Sequence, residues 1–339
     1  MIAIHQDESR LVAVELTNGS RDGLLEKLMK TEQKIFGVCF RNPVLLAGGT
    51  CGFGEELADV LDFDNIGGIV TKSVTYDPRG GNAAPRVVEA GNAMLNSVGL
   101  ANPGVDAVCS EKIPWMKENL SSLQVFVSVA GHVKDEYCAV VKRLEETGGF
   151  LGYELNLSCP NDVKLGGLPF ALDQEALQEV VSSVRELTDR PILVKLAPNV
   201  PDIGLISRAA QVSGADGVTL INTIPGLTIN VHSQKAELGA GKGGVSGPAL
   251  RAVGVHAVHC ARQQTTIPLI GVGGIMNEYD AVQYLLAGAS LVQVGTATFA
   301  DPRTAQRIAR GIVTFCENKG VDSITDLIGA YGDEPEDRV

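Results

Sequence analysis

Nothing in this sequence reads as a metal or disulfide framework. Its seven cysteines, at positions 39, 51, 109, 138, 159, 260 and 316, are odd in number and scattered, with no C-x-x-C pair. That spacing speaks against a zinc site, an iron–sulfur cluster or a disulfide scaffold on this chain, and it fits reduced thiols. A positive charge excess is missing too. The net charge of −12 argues against nucleic acid or an anionic membrane held by bulk electrostatics. It leaves room for a small anionic substrate, because a local pair of lysines can outweigh the global field. No apolar run approaches the length that crosses a bilayer. MIAIHQDESR lacks the basic start and apolar core of a signal peptide. The expected compartment is the cytoplasm.

What remains is an ordinary globular composition in 339 residues, 45% hydrophobic and 20% charged, with a single Trp. Short β-branched runs recur at 42–49, 67–74, 125–131, 153–159, 191–197, 217–223, 268–274 and 291–297. They are nearly continuous in apolar character, which is what strands covered on both faces show. Helical periodicity lies between them, as from Leu172 to Leu187, Ile203 to Val212, and Tyr279 to Ala287 before Gly288-Ala289. Eight β-then-α units predict a (β/α)8 TIM barrel over residues 42–330. Residues 1–41 form an extension in which LVAVELT (11–17) is expected to pair with 34–40 at the barrel floor around an inserted helix. An acidic tail, 331–339, follows the barrel.

In such a barrel the chemistry lies at the C-terminal ends of the strands. Those ends carry Lys72, Asn156, Cys159, Lys195, Asn222 and Thr223, with Gly273-Gly274 and Gly295-Thr296 after the last two strands. Glycine pairs there let backbone N–H groups approach a phosphate closely. Each residue has an ordinary reading: a solvated lysine, a capping asparagine, a turn glycine. Two lysines aimed into one mouth beside a phosphate-type turn are harder to dismiss. His256 and His259 share a helix face without a third ligand and read as packing or surface residues. Two long excursions, from Cys159 to about Asp173 and from Thr223 to about Ser246, exceed the roughly 2–6 residues usual for βα loops and read as covers over the mouth. A flavin mononucleotide fits this pattern, with its phosphate at the glycines and a lysine near the ring.

The stretches TKSVT (71–75), NSVGLANPG (96–104), ELNLSCPN (154–161), VKLAPN (194–199), INTIPG (221–226), GGVSGPAL (243–250), GVGGI (271–275) and GASLVQVGTATF (288–299) occur in order. With them the chain resembles the class 1 dihydroorotate dehydrogenases, and within them the NAD-linked subclass. The resemblance implies FMN-dependent oxidation of dihydroorotate to orotate in pyrimidine (UMP) biosynthesis. In that reaction Cys159 takes the C5 proton and a hydride passes from C6 to flavin N5. It implies substrate contacts from Lys72, Asn96, Ser97, Val98, Gly99, Leu100, Asn156, Asn161, Asn222 and Thr223. FMN contacts would come from Ala47, Gly48, Gly49, Thr50, Lys72, Ser73, Ser128, Asn156, Lys195, Ile221, Gly247, Gly273, Gly274, Gly295 and Thr296. It also implies a catalytic homodimer within a heterotetramer, joined to an electron-transfer subunit that carries FAD and a 2Fe-2S cluster. The chain departs from the family pattern at Gly48, where relatives carry Ser, at Ser128, where many carry Asn, and at Asp162, an extra residue after SCPN. An FMN barrel that reduces uracil, and a barrel that binds a phosphorylated metabolite without redox chemistry, are the alternatives.

Overall fold

A computed structural model describes residues 31–157 and 173–332 of the chain. Eight parallel strands close into a barrel: β1 (Val44–Leu46), β2 (Gly68–Val70), β3 (Gln124–Val129), β4 (Gly152–Asn156), β5 (Ile192–Leu196), β6 (Gly217–Leu220), β7 (Leu269–Val272) and β8 (Leu291–Val294). They neighbour one another in chain order, and β8 pairs back onto β1 through Val292↔Val44 and Val294↔Leu46. Six lie within the apolar runs of the sequence, and β3 and β4 start one residue before theirs. Burial on both faces explains why those runs do not alternate.

Helices follow seven of the strands: α1 (Ile113–Asn119), α2 (Lys134–Glu145), α3 (Gln174–Arg185), α4 (Ile203–Val212), α5 (Arg251–Gln264), α6 (Glu278–Ala287) and α7 (Thr304–Lys319). After β1 the expected helix is replaced by two short 3-10 turns, Glu55–Leu57 and Phe63–Asn65. Helix starts are capped by local chemistry: Asp173 and Asp202 accept from first-turn amides, and Asn277 forms a reciprocal box with Asp280. Gly288 ends α6 at φ 119°, a left-handed geometry that favours glycine.

The expected floor pair falls only partly within the described residues. Residues 11–17 lie outside them; among those described, Gln33–Ile35 pairs antiparallel with Val38–Phe40 as a hairpin. Phe36 and Gly37 take positive φ at its tip. The hairpin plugs the barrel, since Ile35 and Phe40 pack in one cluster with Leu45, Val70, Phe126, Leu193, Ile270 and Leu291. Phe36 meets Phe126 edge to face at 5.8 Å.

The mouth departs from the expectation. The Thr223–Ser246 excursion is not a bare cover. Its segments Ile224–Gly226 and Gly243–Ser246 join Val87–Ala90 and Ala93–Asn96 in a four-stranded antiparallel sheet above the barrel. The 87–96 hairpin escaped sequence reading because its first strand is largely exposed and the run is short.

Tyr284 of α6 ties this frame to the mouth. Its ring is fully buried and its hydroxyl donates to the carbonyl of Gly273 at 2.6 Å. A Cβ on Gly254 of α5 would lie 1.9 Å from that hydroxyl oxygen. Gly to Ala in a helix ordinarily gains up to about 1 kcal/mol. Here overpacking of about 1–3 kcal/mol outweighs the gain. Gly254→Ala is therefore expected to lower the urea unfolding midpoint; an unchanged or raised midpoint would show that the ring has room to move.

Candidate active site

Strand periodicity builds the site. Side chains two residues beyond the apolar plug point the same way, into the barrel, one layer nearer the mouth. Leu45 leads to Ala47, Val70 to Lys72, Phe126 to Ser128, Leu193 to Lys195 and Leu291 to Gln293. A hydrophobic plug is thus overlaid by a polar layer, and above that layer the strand ends and the four-stranded sheet enclose one cavity.

Most residues singled out in the sequence line that cavity. Ala47, Gly48, Gly49 and Thr50 follow β1, Lys72 and Ser73 follow β2, and Asn96, Val98, Gly99 and Leu100 descend from the mouth sheet. Asn156 ends β4, Lys195 lies on β5, and Ile221, Asn222 and Thr223 follow β6. Gly247, Gly273, Gly274, Gly295 and Thr296 complete the wall. Two do not line it. Ser97 is buried behind its neighbours, where its hydroxyl accepts from Asn82 Nδ2 at 2.9 Å. Ser128 is buried with its hydroxyl 2.8 Å from that of Ser73. Cys159 and Asn161 lie outside the described residues.

The polar wall is ordered as a relay. Asn222 Nδ2 donates to Asn156 Oδ1 at 3.2 Å, and Asn156 Nδ2 donates to Ser73 Oγ at 3.2 Å. The Ser73–Ser128 contact ends the chain against β3. Backbone anchors fix both asparagines: Tyr137 donates its hydroxyl to the Asn156 carbonyl at 2.9 Å, and Asn222 N donates to the Leu196 carbonyl at 2.8 Å. The amides therefore present set faces to anything bound between them.

At the β7 end, the turn Gly273–Asn277 is held by a buried carboxylate. Asp280 Oδ2 accepts from Met276 N at 2.9 Å and Asn277 N at 3.3 Å, while Oδ1 pairs with Arg251 at the start of α5. Gly273 and Gly274 take φ of 123° and 68°, and a Cβ on Gly274 would lie 2.7 Å from Arg251 N. Only glycine fits there. Asp280 and Arg251 were not evident in the sequence, since both lie on helices away from the strand ends.

Cys51 sits against the Ala47–Thr50 turn. Burial foremost, then the nearby Glu56, pushes its thiol up to about 12, and its Sγ lies 3.2 Å from the Val70 carbonyl. It is a packing thiol and not a reagent. Among the described residues no group of His, Cys, Asp and Glu is arranged to hold a metal ion. No helix among them is long and apolar enough to cross a membrane.

Beneath the cavity lies the feature that the sequence reading missed. Glu154 of β4 is wholly buried; its Oε2 accepts from Thr219 Oγ1 at 3.0 Å and from Gln293 Nε2 at 2.7 Å, and Oε1 lies 3.5 Å from Lys195 Nζ.

Comparison with known proteins bears on family and fold. A family model described as dihydroorotate dehydrogenase matches residues 30–315. The chain is 44% identical over 296 residues to the dihydroorotate dehydrogenase B (NAD(+)) catalytic subunit of Geobacter sp. (strain M21), covering 87% of this chain and 96% of that relative. It is 40% identical over 304 residues to the dihydroorotate dehydrogenase A (fumarate) of Limosilactobacillus reuteri (strain DSM 20016), covering 89% and 98%. Among solved structures, that of the Eimeria tenella enzyme in complex with ferulenol matches with a TM-score of 0.74 at 22% identity, over 93% of this chain and 96% of that one, which supports the barrel fold. A family match that spans the barrel, with relatives alike along nearly their whole length, shows that this chain belongs to the dihydroorotate dehydrogenase family of oxidoreductases.

Proposed function

We propose that the chain oxidises dihydroorotate to orotate, a step of pyrimidine biosynthesis, with FMN held across the barrel mouth. One observation carries the reading: a single cavity joins a glycine-walled turn, two lysines and a paired set of asparagine amides. The residues present fit FMN. A Cβ on Gly49 would meet nothing within 4 Å, so any side chain there would take up cavity space. The Gly273–Gly274 turn and the Gly295-Thr296 end offer backbone N–H groups of the kind that bind phosphate. Ala47, Gly48, Thr50, Ser73, Ile221 and Gly247 complete the cradle, and Lys72 and Lys195 supply positive charge for an electron-rich ring. FMN, when bound, supplies a two-electron acceptor.

The other steps belong to the protein. Lys72 faces the substrate carboxylate, with Asn96, Val98, Gly99 and Leu100 closing over it. Asn156 and Asn222, each with a donor and an acceptor, match the alternating N–H and C=O groups of the ring, together with Thr223 and Asn161. Cys159 follows in the sequence two positions after Leu157, just beyond β4. A thiol with an ordinary pKa of about 8.5 is a workable base near neutrality for the C5 proton.

The electrons are passed to NAD through a partner subunit carrying FAD and a 2Fe-2S cluster, the catalytic chain forming a homodimer within a heterotetramer. Support comes from relatives at 42–44% identity whose names read "catalytic subunit". Relatives whose names give fumarate as acceptor, at 40–43%, make the acceptor an experimental matter.

Three outcomes are expected. Cys159→Ala lowers the rate of orotate formation by about 100-fold or more, measured beside dihydrouracil, the reduced form of uracil, as competing substrate; an undiminished rate, or a preference for dihydrouracil, would remove this reading. Asp280→Asn, which weakens the brace on the phosphate turn, raises the FMN Kd about tenfold in a fluorescence titration of the apoprotein, and an unchanged Kd would contradict the brace. The purified chain alone gives no rapid NADH formation with dihydroorotate and NAD; rapid formation would abolish the need for a partner.

A further inference from the structure

Glu154 takes no part in the cavity wall, yet it is a deeply buried charge directly beneath it. Its side chain is 1% exposed. Burying a carboxylate is costly unless it is paired and hydrogen-bonded. Three strands supply the partners: Thr219 from β6 and Gln293 from β8 both donate to Oε2, and Lys195 from β5 faces Oε1.

The two oxygens are treated unequally. Oε2 is satisfied twice. Oε1 accepts no hydrogen bond among the described residues, although the Lys195 ammonium stands 3.5 Å away. Oε1 points toward the cavity: a Cβ on Gly48, a residue of the cavity wall, would lie 3.4 Å from it. Lys195 is itself 9% exposed and opens on that cavity. A fixed negative charge therefore stands directly behind the lysine.

We propose that Glu154 is a positioning residue that anchors the Lys195 ammonium from below and tempers the positive charge Lys195 presents to the bound flavin. It acts through Lys195 and touches neither substrate nor cofactor. At a separation of a few ångströms inside a protein, one charge more or less changes the local interaction by enough to move an equilibrium about tenfold or beyond. Thr219 and Gln293 hold the carboxylate to one side, so the lysine cannot draw it into the cavity.

The inference rests on the FMN reading, and the experiment keeps the two apart. Wild-type protein is first loaded with FMN; if it takes up none, the FMN reading fails. Sulfite, which adds to oxidised flavin more tightly when positive charge lies nearby, is then titrated by loss of visible absorbance. Glu154→Gln keeps an oxygen acceptor for Thr219 and Gln293 but removes the charge, and is expected to lower the sulfite Kd about tenfold. Glu154→Asp withdraws the charge by one methylene and is expected to fall between the two. In the Lys195→Gln background, Glu154→Gln is expected to add little. A wild-type sulfite Kd in both single variants overturns the proposal, as does an undiminished effect of Glu154→Gln without Lys195. If Glu154→Gln fails to fold, Glu154→Asp carries the same test: an intermediate Kd supports the proposal and a wild-type Kd overturns it.

Discussion

The pairing of Leu291–Val294 with Val44–Leu46 closes the sheet into a ring, and every part of the site depends on that closure. In a closed parallel barrel all strands deliver their C-terminal ends to one rim. Residues far apart in the chain, such as Lys72, Asn156, Lys195 and Gly295, therefore line one space without any local signal joining them. The floor hairpin fills the other end with Phe40 and Ile35, so the interior there is packed with apolar side chains. The polar layer rests on that plug.

The layer is unusual for a barrel interior because it contains a charge pair. Glu154 and Lys195 come from adjacent strands whose register sets Asn156 beside Lys195. The carboxylate thus lies two residues below the asparagine that lines the cavity. The same two-residue step carries the chain from buried support to exposed site on β4. Packing, charge and site geometry are set together by the pleat of the strands.

The eight strands were legible in the sequence because burial on both faces leaves a short, nearly unbroken apolar run, and the positions of Lys72, Lys195, Asn222 and the glycine pairs followed from their places at the run ends. Ser97 and Ser128, which only the family resemblance suggested, do not line the cavity. Both stand next to lining residues, but strand and loop geometry turns their hydroxyls toward Asn82 and Ser73. Glu154 was missed for a different reason. A lone acid inside an apolar run carries no sign of being paired, and its partners Thr219 and Gln293 lie 65 and 139 residues further on. The hairpin at 87–96 was hidden because its first strand is largely exposed, and the strand that flanks its second, Gly243–Ser246, is remote in the chain. Long-range pairing leaves no local trace in composition or period.

The proposed use of the cavity is to take electrons from a substrate bound within it. Anaerobic mixing of the FMN-loaded protein with dihydroorotate, followed by visible absorbance, tests that most directly. The account predicts that the flavin absorbance bleaches on mixing, with orotate formed in equal amount to the flavin reduced. A protein that binds no FMN, or a flavin that keeps its colour in the presence of dihydroorotate, would contradict it.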